Sequence, residues 1–292
     1  MPFGMSQHIQ AVMVGGNIYV GGGFNVVSGQ TVMVYTLHAG SWGTLPPYES
    51  EWFGMAAVNN QLVLVGGGYS LTNKKTNELG VWNEELQTWT HPFPVLPTPR
   101  SLVSAISYYN WLIVAGGDDD DDDDDDDPYT MKVEILDTSS RQWYEAAPLP
   151  LRSGQMSSAI NGNMWYLSRG FSQKANKHVF SVCLDELISQ AVSQSDGATS
   201  PSTPSPWQTL SDTPQTTSTV LVLNGALLAV GGWESSAIHL YQPSNSSWVN
   251  VGNLPTKRSQ CACLVLPSGE IFVTGGHGLP CRRVDIATIV NK

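Results

Sequence analysis

The sequence predicts an all-β propeller, six blades around an axis, each blade an antiparallel sheet of four short strands. Three observations predict it. A short apolar run ends in a glycine pair or its remnant six times, with the last glycine at positions 23, 68, 117, 170, 232 and 276. The steps between them are 45, 49, 53, 62 and 44 residues, a scatter about one repeating unit of roughly 50. A tryptophan then follows five of the six endings: Trp42, Trp89, Trp143, Trp207 and Trp248.

Each unit justifies its strands in order. The first is an apolar segment: Ala11–Val14, Met55–Val58, Ser104–Ser107, Ser157–Ile160, Val220–Leu223 and Ala262–Val265. A tight turn follows, such as Asn59-Asn60, Asn161-Gly162-Asn163 or Asn224-Gly225, where Asn and Gly supply the positive φ of short hairpins. The second strand, as in Leu62–Val65, runs into the glycines. The third alternates, most clearly over Lys132–Asp137, and the tryptophan marks the fourth. Leu-Pro closes the unit at 45–46, 96–97, 149–150 and 254–255. The units span about 5–50, 51–98, 99–151, 152–214, 215–256 and 257–292, one domain in all.

A lone four-stranded sheet cannot bury both faces, but six stacked radially cover one another. The glycines Gly22, Gly23, Gly67, Gly68, Gly116, Gly117, Gly231, Gly232, Gly275 and Gly276 are then architectural. They permit close approach and unusual dihedrals where inner strands end near the axis. The five tryptophans are expected to fill the wide outer gaps between twisted sheets.

Glycine pair, tryptophan and Leu-Pro at this spacing resemble the kelch repeat over nearly the whole chain. Two units depart from it. Unit four has Arg169-Gly170 in place of the pair. Unit six lacks a tryptophan and shows three strand-like runs, 261–266, 270–274 and 282–290. Its fourth strand is either absent or supplied by Pro2-Phe3-Gly4-Met5, the closure that the resemblance implies. Because Met1-Pro2-Phe3-Gly4 enters mid-unit, the chain is expected to be a domain of a longer polypeptide.

The net charge of −11 comes almost entirely from Asp118 to Asp127; without those ten, 14 basic residues face 15 acidic ones. A nearly neutral body without a basic stripe argues against nucleic acid as a partner. No signal peptide or membrane span is present in the sequence, so a cytoplasmic monomer is expected, away from membranes. Cys183, Cys261, Cys263 and Cys281 are too few for a disulfide scaffold in a chain this long. Cys261 and Cys263 share one strand face and read as buried thiols; without CxxC or a histidine cluster, neither metal nor cofactor is expected.

Function should sit on loops carried by the rigid blades. The first residues after the glycines are Phe24, Tyr69, Asp118, Phe171, Trp233 and His277, five of them rings. They pack locally, or they form a collar at the channel mouth that anchors a peptide. Arg100, Arg152 and Arg258 hold matching places in the links between units. In kelch domains of BTB-type ubiquitin-ligase adaptors, these links and the post-glycine loops share a face that takes substrate degrons. By resemblance the arginines clamp a partner's carboxylates; alternatively they bond carbonyls near the channel.

The aspartate run repels itself and predicts an extended, solvated loop on that face. It reads as a solubilising tether, as a lure for a basic partner, as a loose divalent-cation binder, or as a self-inhibitory tail in the arginine mouth. A polar insertion spans 184–206, in which Leu184, Leu187, Ile188 and Ala191 share one face of a short helix. The Ser/Thr/Pro-rich stretch from Gly197 to Pro206 follows it as a loop.

The preferred reading is an adaptor-like module that binds a protein or peptide on the post-glycine face, without catalysis. HExxH, Gly-x-Ser-x-Gly and a phosphate loop are all missing from the sequence. The alternative is a kelch-type sugar epimerase of the sialic-acid mutarotase kind, with Arg152, Arg258 and Glu134 in the channel.

Overall fold

We describe the fold from a computed structural model of the chain. It describes residues 1–2, 4–7, 9–25, 30–69, 72, 74–119, 128–168, 170, 177–195, 204–216, 218–277 and 283–289. The apolar segments pair as hairpins, and the hairpins stack into six sheets around one axis. Blade 1 pairs Gln10–Val14, Asn17–Gly21, Met33–Thr36 and Ser41–Thr44 in that order. Blade 2 uses Gly54–Val58, Gln61–Val65, Leu79–Asn83 and Thr88–Thr90, and blade 3 uses Ser104–Tyr108, Trp111–Ala115, Val133–Asp137 and Gln142–Ala146. Blade 4 runs Ser157–Asn161, Met164–Ser168, Val179–Cys183 and Gln208–Thr209; blade 5 runs Thr219–Leu223, Ala226–Val230, Ala237–Gln242 and Ser247–Asn253. Blade 6 has three strands among the described residues, Ala262–Val265, Ile271–Thr274 and Val284–Ala287.

The first strand of each blade is innermost. These strands touch in sequence from blade 1 to blade 6, and blade 6 returns to blade 1. The second strands, with Val63, Leu64 and Val65 or Leu112, Ile113 and Val114 fully buried, carry the core between neighbouring sheets.

Of the two expectations for the last blade, the described residues fit the incomplete one. The N-terminal segment does not complete blade 6; Met5–Gln7 pairs instead with Phe24–Asn25, beyond the glycines of blade 1. The ring is shut by side chains. Tyr35 and Trp42 of blade 1 lie 6.1 and 6.5 Å, centroid to centroid, from Phe272 on the second strand of blade 6. Among the described residues, apolar contact between sheet faces closes the circle without a shared strand.

The tryptophans do fill outer gaps, and they also tie blades together. Each indole N–H but that of Trp42 donates to a carbonyl of the preceding blade or linker: Trp89 to Pro46, Trp143 to Pro94, Trp207 to Ala147 and Trp248 to Ser211, at 3.0 to 3.3 Å. The insertion in blade 4 forms the helix Leu184–Ser195, with Leu184, Leu187, Ile188 and Ala191 buried as the spacing predicts. It packs against the outer strand of blade 3. The stretch 196–203 lies outside the described residues.

Candidate functional site

The glycine pairs mark where the site begins, for a reason different from the expected crowding at the axis. Gly66 and Gly67 have φ of +61° and +116°. A side chain on Gly66 would strike the Arg100 carbonyl in the link to the next blade; one on Gly67 would strike Ser50 and Glu51 in the link before it. Gly116 and Gly117 are wedged between Ser153 and Ser101 in the same way. Gly66–Gly67, Gly116–Gly117 and Gly231–Gly232 are each held between two linkers, which is why two glycines are needed there. The amides of Gly67, Gly117 and Gly232 donate to Arg100, Ser153 and Arg258 carbonyls at 2.8 to 2.9 Å.

That clasp brings the post-glycine residues and the linkers onto one face. Asp118 bridges Ser101, His277 bridges Ser259 and Gly68 bridges Glu51, each antiparallel. Just inside, Trp52, Leu102, Gln155 and Gln260 adopt φ of 53 to 58°, each two residues before its inner strand. The Leu102 N–H donates to the Trp52 carbonyl and the Gln155 N–H to the Leu102 carbonyl, both at 2.8 Å. These left-handed residues form part of a backbone collar around the mouth, which no residue type in the sequence announces.

Two of the three arginines turn inward. Arg100 is fully buried; its Nη2 meets Glu134 Oε2 at 2.6 Å, and Nη1 donates to the Lys132 carbonyl at 3.1 Å. Thr98 donates to the other oxygen of Glu134 at 2.9 Å. Arg258 repeats the clamp on blade 6, its Nε donating to Asp285 Oδ2 at 3.0 Å and Nη1 to the Gly275 carbonyl at 2.7 Å, with Thr256 bonded to the same carboxylate. Arg152 donates to the Tyr129 carbonyl at 3.0 Å. The carboxylates that Arg100 and Arg258 clamp are therefore internal ones, on the third strands of blades 3 and 6. Neither fork faces solvent.

The two clamps differ electrically. Burial pushes the Glu134 carboxyl above its ordinary range, outweighing Arg100 and Thr98, and the same burial lowers the Arg100 guanidinium. At Asp285 burial also pushes upward, but hydrogen bonding from Thr256 and the charge of Arg258 overcome it and leave the carboxyl below the usual range.

The aspartate run is anchored at its stem, which corrects the expectation of a wholly solvated loop. Asp118 Oδ2 lies 2.9 Å from the buried Lys75 of blade 2, and the buried Asp119 lies 3.2 Å from Lys132. Two like charges are tolerated there because each finds its own lysine. Residues 120–127, with Asp127, lie outside the described residues.

Among the described post-glycine side chains, those of Trp233 and His277 come together. Trp233 of blade 5 stacks parallel on His277 of blade 6, centroids 5.3 Å apart and planes 10° apart. Trp233 is 54% exposed. Beside the pair, Lys257 reaches Glu234 at 3.5 Å across exposed surface. Tyr69 sits half-buried in the short hairpin with Lys74–Lys75. Phe24 belongs to the strand paired with Met5–Gln7. Phe171 lies outside the described residues.

The axial channel opens behind this face as a cavity of about 360 Å³. Hydroxyls of Ser104, Ser107, Ser157, Ser168, Ser218 and Thr219 and the amides of Gln10, Gln155 and Gln260 line it between apolar residues. The Gln10 amide spans blades, accepting from the Met55 N–H at 2.8 Å and donating to the Val103 carbonyl at 3.0 Å. Gln155 Oε1 is buried without a partner. Among the described residues the wall contains no Asp, Glu, His, Lys or Arg. Glu134 and Arg258, expected in the channel under the epimerase alternative, belong to separate clamps. Cys261 and Cys263 do line it, their sulfurs 3.6 Å apart.

The KLHDC2/KLHL20/DRC7 kelch-repeats domain matches residues 53–276. Kelch-like protein 23 from Pongo abelii is 20% identical over 233 residues, and that from Homo sapiens 19%; each alignment covers 80% of this chain. The chain spans 38% of the length of these curated relatives. The solved structure of YjhT superposes with a TM-score of 0.72 at 14% identity, covering 97% of this chain and 93% of that one.

Proposed function

From the premise that this chain belongs to the kelch-repeat domain family, we propose that it is a non-catalytic, adaptor-like interaction module. It binds a peptide or protein segment on the post-glycine face, as a cytoplasmic monomer. The observation that carries the reading is the exposed Trp233–His277 stack at the junction of blades 5 and 6. A half-exposed tryptophan held flat by a neighbouring ring loses little freedom when a partner covers it, and such aromatics dominate interface energetics. Asp120 to Asp127, which follow in sequence the stem pinned to Lys75 and Lys132, supply negative charge that favours basic partners and speeds their approach at low salt.

A panel of basic, aromatic-containing peptides tests this by fluorescence anisotropy at low and high salt. Trp233→Ala should weaken a bound peptide by about thirtyfold, the cost of a ~2 kcal/mol anchor. Replacing residues 120–127 by Gly/Ser, with Asp118 and Asp119 kept, should slow association at low salt and change little at high salt. Binding indifferent to Trp233→Ala would overturn the reading.

A second reading is a sugar-active epimerase. The polar channel supports it, being of a size for a monosaccharide and rich in hydroxyl and amide groups. The likeness to YjhT bears on the fold, which both readings share. Equilibration of an anomerically pure sialic acid followed by NMR separates the two. Acceleration over buffer would support the enzyme, and a rate equal to buffer would remove it.

A further inference from the structure

Five of the side chains lining the axial channel carry sulfur: Met13, Met55, Met156, Cys261 and Cys263. The last two stand two positions apart, Cys261 just before and Cys263 within the inner strand of blade 6, where the extended chain turns both to the same side. Their Sγ atoms are 3.6 Å apart. Thr219 of blade 5 holds one end of the pair, its Oγ1 3.6 Å from Cys261 Sγ. Two thiolates on one ion with bonds of about 2.3 Å stand ~3.8 Å apart at a tetrahedral angle and ~4.0 Å apart at the wider angle of a three-coordinate ion. The pair is thus close to a chelating separation as it stands, whereas a disulfide would need contraction to about 2.05 Å.

The donor set narrows the class of ion. Among the described residues no group of three His, Cys, Asp or Glu converges anywhere, so a closed four-ligand zinc centre is not built here. The channel wall offers magnesium or calcium no carboxylate. What it offers is two thiols, with thioethers on the same wall, the donors that soft ions of low coordination number prefer. We propose that Cys261 and Cys263 chelate a soft, low-coordinate d10 cation of the Cu(I) class inside the axial channel. The site is separate from the Trp233–His277 shelf and does not depend on the interaction reading.

The test uses the whole chain, reduced and under anaerobic conditions, titrated with Cu(I) against a chromophoric Cu(I) chelator. A single equivalent should be taken up. Cys261→Ser and Cys263→Ser should each weaken uptake by about tenfold or more, since even the loss of an outer-shell partner costs 10- to 100-fold. Cys183→Ser and Cys281→Ser should leave it unchanged. Because a channel variant can also misfold, a second measurement needs no substitution: Ag(I), a redox-inert stand-in, should protect Cys261 and Cys263 of the unaltered protein from alkylation, read by peptide mass spectrometry. Uptake that survives the double Cys261→Ser, Cys263→Ser change, or protection that falls on Cys183 or Cys281 instead, overturns the proposal.

Discussion

Gly116 and Gly162 have nearly the same φ, +59° and +60°, but stand in different surroundings. A side chain at Gly162 meets open space, while one at Gly116 strikes the Ser153 carbonyl. Gly162→Ala should therefore cost about 1 kcal/mol for the left-handed backbone alone, and Gly116→Ala about 3 kcal/mol or more. Urea denaturation of the two variants measures the difference. The arginine clamps give a second residue-scale prediction. Asp285 has a folded pKa below its unfolded value, so its contribution is complete above the usual carboxylate pKa of about 4 and disappears as pH falls through the lower folded value. Asp285→Asn should destabilise the protein at neutral pH, and the gap to the unaltered chain should shrink in acid. Glu134 runs the other way: its raised pKa makes its contribution complete below the unfolded pKa and smaller as pH rises through the folded one. Arg100→Met should accordingly be most damaging at neutral and higher pH, by about 3–5 kcal/mol, where the carboxylate would be left charged and unpaired. Stability curves from pH 3 to 8 check both signs.

Among elements, the helix Leu184–Ser195 shows how far a local pattern reaches. Its apolar spacing gives both the helix and its buried face, and Asp185 and Glu186 in the first turn suit the positive end of the helix dipole. The pattern does not say what covers the face; packing against blade 3 does. Leu187→Ala should cost about 3 kcal/mol, the usual range for a fully buried leucine, and loosen the outer strand of blade 3 in hydrogen exchange. The fourth strands make the same point. Their tryptophans are legible as large outer rings, yet the indole N–H bonds to the preceding blade join residues 37 to 60 positions apart. No local pattern encodes such a partner.

The whole ring depends on the junction where the chain's two ends meet. Among the described residues blade 6 has three strands, and Tyr35, Trp42 and Phe272 carry contact between it and blade 1. Phe272→Ala should destabilise the protein by about 3–5 kcal/mol. In native-state hydrogen exchange, blades 1 and 6 should lose protection before blades 3 and 4. Uniform loss around the ring would show that closure is shared equally by all the junctions. The N-terminal strand has a physical reason for its place as well: Met5–Gln7 pairs with the backbone of Phe24–Asn25, and a three-residue strand cannot declare from its own sequence which of two open edges it will join.

By itself the sequence determined the blade count, the strand order within each blade, the positions of the glycine pairs and the helix. All of these follow from periods of two, of 3.6 and of roughly 50, which a chain displays along its own length. Tertiary structure alone decided that Arg100 and Arg258 spend their charge on Glu134 and Asp285, that Asp118 and Asp119 are paired, that Trp233 meets His277, and that two sulfurs converge in the channel. Those outcomes are meetings between side chains of different blades or linkers, or the exact aim of two on one strand. They are set by how sheets stack in space, and that geometry is not written in any single repeat.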